Sequence, residues 1–251
     1  MHRQPVTRRG LLVAGGLAAL GPTAVTAAAT AAAAAGRPAA PPVRTAAPPR
    51  DTGTQPQPGP RAALAALLAG NRRFAAGRAE RPRQDPDTLR RLASGQRPYA
   101  VVLGCADSRV PPELLFDQGL GDLFDARLAG NLVDEFVLGT VEYAVLTFAS
   151  PLVVVLGHER CGAVAATVDA LRNGTTPPYH VDALVAALRP VVAPVLDRPG
   201  DPVENGCRAN VRAQVRALRD GSPLLAGRVA RGELLIVGAR YDLDDGLVTP
   251  V

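Results

Sequence analysis

The sequence predicts an α/β fold, with a mainly parallel β-sheet flanked by α-helices. Three observations lead there. Three short apolar runs, 99–104, 151–157 and 233–238, each end in glycine and have the length of buried strands. Segments with apolar residues at helical spacing lie between them. Two of the runs lead directly into clusters of chemically reactive residues, as strand ends do in open parallel sheets. Parallel strands need crossover segments and are covered on both faces, so they read as continuous apolar stretches rather than as alternation.

The elements follow in order. Ala62 to Ala76 carries Leu64, Leu67, Leu68 and Phe74 at mixed three- and four-residue spacing, which predicts a helix. Asp87-Thr88 stands where it would cap a second short helix ending at Gly95. Tyr99 to Gly104 is the first strand. Pro111-Pro112-Glu113-Leu114-Leu115-Phe116 begins with proline, which suits a first helical turn. Asp122 to Leu128 is a second strand. Val133 to Ala149 is a long helix with Phe136, Thr140, Tyr143, Ala144 and Thr147 along one side. Pro151 to Gly157 is the clearest strand in the chain, and a helix follows from Gly162 to Leu171. Two more helices, Val181–Leu196 and Val203–Leu218, precede the last strand, Glu233 to Gly238.

Composition narrows the functional classes. Of 251 residues, 47% are hydrophobic, which is enough for a real core and excludes global disorder. There is no Trp and aromatics are 4%, which argues against stacking platforms for single-stranded nucleic acid. All 28 basic residues are Arg, and the net charge is +5. Residues 1–60 hold six Arg and one acid, whereas residues 61–251 hold 22 Arg and 22 acids. The folded part is balanced, so a groove that follows phosphates is not indicated. Three cysteines make no disulfide framework.

The excess charge belongs to a leader. Thr7-Arg8-Arg9-Gly10-Leu11-Leu12 opens an uncharged stretch that runs to Gly36, with Ala-x-Ala cleavage options from Ala24 to Ala35. Residues 1–36 read as an export signal of the twin-arginine type. A retained membrane anchor is the alternative, but Gly15, Gly16, Gly21, Pro22 and many Ala make a poor membrane helix. Residues 37–59, rich in Pro and Ala, read as a disordered linker. The folded domain is expected over 60–251, outside the cytoplasm as a periplasmic, cell-surface or secreted protein. Its expected tie to a membrane is the export signal, if uncleaved.

The chemistry lies at two strand ends. The first cluster is Gly104-Cys105-Ala106-Asp107-Ser108-Arg109 and the second is Gly157-His158-Glu159-Arg160-Cys161-Gly162. Parallel strands in one sheet bring these clusters to the same edge, although Cys105 and Cys161 are far apart in sequence. Two thiolates and one imidazole suit Zn²⁺, and three protein ligands leave a fourth position open, as catalytic zinc requires. Asp107 is placed to accept a hydrogen bond from solvent on the metal. Arg109 is placed to hold that carboxylate in a charge-assisted pair and keep it from the metal. A pair of buried apolar thiols or a disulfide is the competing reading of Cys105 and Cys161, and neither explains His158, Asp107 and Arg109. Cys207, on a predicted helix with no partner motif, reads as an ordinary structural or free thiol, and His180 as a loop or surface residue.

At these residues the chain resembles the β-class carbonic anhydrases. That family's markers, Cys-[Ser/Ala]-Asp-Ser-Arg and His-x-x-Cys-Gly, are both present in order, and the likeness runs from about Asn71 to about Leu247. Glu142-Tyr143-Ala144-Val145-Leu146 and the Gly238-x-x-Tyr241-Asp242 segment are similar too. The resemblance implies one Zn²⁺ per chain on Cys105, His158 and Cys161, an Asp107–Arg109 catalytic dyad, and reversible hydration of carbon dioxide to bicarbonate and a proton by zinc-bound hydroxide. It implies an apolar pocket for CO₂ formed by Gln96, Phe124, Tyr143 and Gly162, of which Gln96, Phe124 and Tyr143 match the plant-like subtype. Another subgroup holds inhibitory bicarbonate beside a Trp, a residue this chain lacks. Some plant members carry a His where this chain has Thr147, so no imidazole proton shuttle is implied. The family also implies a homodimer or higher homo-oligomer, in which the helix from Ala62 either wraps a partner or packs on its own domain. Two other readings remain at this point. One is hydrolysis of carbonyl sulfide or carbon disulfide on the same scaffold, and the other is a zinc-binding, non-catalytic partner protein.

Overall fold

A computed structural model describes residues 57–251; the predicted signal and residues 37–56 of the predicted linker lie outside them. A five-stranded sheet, ordered β2-β1-β3-β4-β5, organises the fold. Its strands are β1 (Ala100–Gly104), β2 (Leu123–Arg127), β3 (Leu152–His158), β4 (Leu235–Tyr241) and β5 (Val248–Pro250). β1 to β4 pair in parallel, and β5 closes the edge antiparallel to β4. Every residue of β1 and β3 is buried, which is why both read as unbroken apolar runs.

Helices cover both faces. On one face α1 (Pro60–Ala75) and α3 (Pro112–Leu115) join a core with Leu67, Leu115, Phe116, Leu152, Val154 and Leu156. Of the two readings of the first helix, the structure shows packing on its own domain: Ala63 and Leu67 are fully buried. Asn71 ties α1 down, donating to the carbonyls of Leu115 and Gly246 and accepting from the Val248 amide. On the other face lie α4 (Glu135–Phe148), α7 (Pro202–Gly221) and α8 (Pro223–Ala230), with Val141, Val145, Val153, Val155, Val211 and Leu218 in the core. A third cluster, around the carboxyl edge of β1 and β3, draws on α5 (Gly162–Asn173), α6 (Val181–Val192) and α7.

Local chemistry sets the boundaries. The short α2 (Pro86–Leu92) is capped by Asp85, whose carboxylate accepts from the Thr88 amide, rather than at Asp87-Thr88. Asp134, Asp201 and Ser222 cap α4, α7 and α8 in the same way. α4 ends at Ala149, in the left-handed region at φ 53°. Its buried side is Val137, Val141, Ala144, Val145 and Phe148, whereas Phe136 is 86% and Tyr143 54% exposed. The apolar surface of this helix is wider than its own domain covers, so periodicity alone did not choose the buried face.

Glycine lets α7 lie close to the sheet. A Cβ on Gly157 of β3 would come within 2.3 Å of Val211, and one on Gly238 of β4 within 2.6 Å of the same side chain. That approach brings the residues of α7 to the carboxyl edge, where the reactive clusters sit.

Candidate metal centre and active site

Three elements deliver the donors. Cys105 is the first residue beyond β1, His158 the last of β3, and Cys161 the N-cap of α5. Their ligand atoms all lie within 4.8 Å of one another, and the three residues are buried. The turn between His158 and Cys161 needs Arg160 at φ 51°, which is uncommon for a residue with a side chain. It is held there by contacts on either side. Arg160 donates to both carboxylate oxygens of Asp244, and the Glu159 amide donates to the Tyr241 carbonyl.

The donor chemistry fits a metal. Nδ1 of His158 is 2.8 Å from the Glu159 carbonyl, which accepts but cannot donate, so Nδ1 carries the hydrogen and Nε2 presents its lone pair. Nε2 is buried and has no hydrogen-bond partner among the described residues. A buried acceptor of this kind is costly unless something binds it. The thiols point the same way. The hydrogen bond with Cys161, together with burial, pushes the Cys105 thiol up to about 12. For Cys161 the contact with Cys105 favours the thiolate, but the neighbouring Cys207 thiol and burial outweigh it and raise the group. Two adjacent buried thiolates need a cation between them, and a divalent ion supplies that charge while releasing their protons. All three cysteines are free, so the disulfide reading is not what the structure shows.

Asp107 is held apart from this cluster. Arg109 grips it with two side-chain bonds, Nε to Oδ1 at 3.0 Å and Nη2 to Oδ2 at 2.8 Å. The Arg109 amide adds a third at 2.9 Å. These bonds hold the carboxyl well below the usual carboxylate range. Oδ2 nevertheless stands 4.0 Å from His158 Nε2, beside the space the three donors face. The loop is braced by Arg127, which donates to the carbonyls of Cys105 and Asp107 at 2.9 and 2.7 Å.

The sequence did not single out Arg127. Its partners are backbone carbonyls some twenty residues away, which no local pattern marks. Also missed was the turn after β2, where the Gly130 amide donates to the Cys105 sulfur at 3.4 Å. Cys207, read as an ordinary thiol, is buried on α7 against Cys161. His180 is exposed at the start of α6, as expected of a surface residue.

The pocket residues are divided. Gly162 opens α5 beside Cys161, and a Cβ there would meet nothing within 4 Å among the described residues. Phe124 and Tyr143 pack with Phe148 as an aromatic trio, with ring centroids 5.6 to 6.0 Å apart. Phe124 pairs with Val101, four residues before Cys105, which places its backbone about 13 Å back along the sheet. Gln96 is exposed ahead of β1. A pocket made of all four residues over the donor cluster is therefore not assembled within one chain.

A parallel sheet whose carboxyl edge gathers two thiols and an imidazole, with an arginine-held carboxylate beside them, has the donor set of enzymes that use a metal to activate water against a small molecule. Comparison with known proteins identifies which. Residues 100–248 match the carbonic anhydrase family model. The chain is 46% identical over 192 residues to Carbonic anhydrase 2 of Mycobacterium tuberculosis, covering 76% of this chain and 92% of that one. It is 44% identical over 195 residues to the carbonic anhydrase of Mycolicibacterium smegmatis, covering 77% and 94%. Among solved structures it is similar to the tetrameric β-carbonic anhydrases of Sordaria macrospora, with 26% identity and a TM-score of 0.60 over 75% of this chain and 96% of that one. This protein belongs to the β-class carbonic anhydrases, and its reaction is the reversible hydration of carbon dioxide.

Proposed function

We propose that the chain hydrates CO₂ with a Zn²⁺ held by Cys105 Sγ, His158 Nε2 and Cys161 Sγ, in an open arrangement of the plant-like kind. The observation that carries this reading is the pairing of the three-donor cluster with an Asp107 retained by Arg109 outside it. Zn²⁺, when bound, supplies a Lewis acid that makes water a nucleophile near neutral pH.

The protein's residues do the rest. Asp107, ionised and accepting only, takes the O–H of the attacking water and turns its lone pair toward CO₂. Arg109 keeps that carboxylate in place and prevents its capture by the metal. Arg127 fixes the backbone of both Cys105 and Asp107, so donor and orienting group move together. With Thr147 in place of an imidazole, the product proton leaves by water or buffer. Stopped-flow hydration by the full chain loaded with one equivalent of zinc is the test, run beside carbonyl sulfide and carbon disulfide. CO₂ turnover well above theirs is expected; a sulfur substrate preferred over CO₂, or zinc bound with no turnover, refutes the reading.

The exposed Phe136, Tyr143 and Leu146 on α4 support a homo-oligomer. A second copy there would supply the Gln96, Phe124 and Tyr143 that one chain leaves apart from its own donors, and relatives from Sordaria macrospora are tetrameric. An active monomer in light scattering would count against this. The leader supports export by a twin-arginine route, which would let the thiolates take metal in a reducing cytosol before reaching an oxidising exterior. Normal export of a variant with Arg8 and Arg9 both changed to Lys would contradict it.

A further inference from the structure

We infer that Asn210 of α7 is a positioning residue for the metal centre: it holds the turn at Gly130 so that the Gly130 N–H stays on the Cys105 sulfur. The inference rests on the reading of Cys105 as a ligand and extends it to a part of the chain where neither motif lies.

The turn has reason to move. It follows β2 directly, and two consecutive residues, Gly130 at φ 74° and Asn131 at φ 43°, are left-handed. Such a conformation persists where its surroundings over-determine it. Gly130 has no side chain with which to hold itself, and its amide makes the 3.4 Å contact to Cys105.

α7 supplies the restraint as a buried polar ladder. Asn210, 1% exposed, donates from Nδ2 to the Gly130 carbonyl at 2.7 Å. Gln214, one turn on, donates from Nε2 to Asn210 Oδ1 at 2.8 Å. Gln214 Oε1 in turn accepts the Val133 amide at 2.9 Å. The ladder therefore grips the turn at both ends, at Gly130 and Val133. It also fixes the Asn210 amide: with Oδ1 occupied by Gln214, Nδ2 must face Gly130. The glycines at 157 and 238, by admitting Val211 against the sheet, set α7 at the depth this reach requires.

An amide donor to sulfur lowers the charge on the thiolate and fixes its direction, and partners of this kind tune metal affinity by about 10- to 100-fold. A helix that carries neither motif thereby sets the ligand's geometry.

Two variants test this in the full chain, Asn210→Leu and Gln214→Met. Each is loaded with Co²⁺ to read the thiolate-to-metal absorption band, and with Zn²⁺ to read its release to a chelator; thermal melts report folding. Asn210→Leu should shift the band and speed zinc release about tenfold or more, and Gln214→Met should move both the same way by less. A lower melting temperature with an unchanged band and release rate would make the ladder purely structural and overturn the inference. If Asn210→Leu does not fold, Gln214→Met decides by the same criterion. A wild-type protein with no thiolate band would instead refute the ligand assignment, and this inference with it.

Discussion

Cys105→Ser should lose zinc and CO₂ hydration together. The change removes one sulfur and keeps nearly the same shape, so the effect is chemical. A serine hydroxyl does not ionise at neutral pH as a metal-bound thiol does, and one of two anionic donors disappears. The Gly130 amide loses the sulfur it points at, and His158 Nε2 and Cys161 are left with an incomplete set. Because losing an outer partner already costs about 10- to 100-fold in metal affinity, losing a ligand should cost at least on the order of 100-fold. Zinc content after dialysis and stopped-flow rates should fall in parallel. Stoichiometric zinc with wild-type turnover would show that Cys105 is not a ligand.

Asp107→Asn separates the metal from the chemistry. The amide keeps the size of the carboxylate but loses its charge and one acceptor, and it presents an N–H₂ to Arg109 where an acceptor is needed. Zinc content should stay near one per chain, since Asp107 is outside the donor cluster. The rate should fall by about 10²-fold or more, the scale of misplacing a reacting group. The pH dependence has a definite sign. A carboxyl held below its usual range stays ionised as pH falls, so protonation of Asp107 does not produce the acid limb of the wild-type profile. An acid limb near pH 4 that vanishes in Asp107→Asn would contradict this, as would a variant with full activity.

Much of the fold was legible because parallel strands buried on both faces cannot alternate. Ala100–Gly104 and Leu152–His158 announce themselves by composition. α8 and the three-residue β5 were not foreseen: α8 follows α7 after a single residue, Ser222, and β5 is too short to show a pattern. The buried side of α4 was not legible, because Phe136 and Tyr143, which are apolar like its core residues, are 86% and 54% exposed. At the site, both motifs could be read because each follows a strand, and strand order brings their ends together. Arg127, Gly130, Asn210 and Gln214 could not, because each acts on a partner distant in sequence. One signal was present: Cys207, Asn210 and Gln214 are polar or reactive residues at three- and four-residue spacing on the buried side of an otherwise ordinary amphipathic helix.

Zinc-edge X-ray absorption on the full-length protein tests the ligand set most directly. The account predicts two sulfur scatterers at about 2.3 Å and one imidazole nitrogen at about 2.0–2.1 Å, with a lighter atom completing the shell. A shell of nitrogen and oxygen without sulfur, or with a single sulfur, would contradict it.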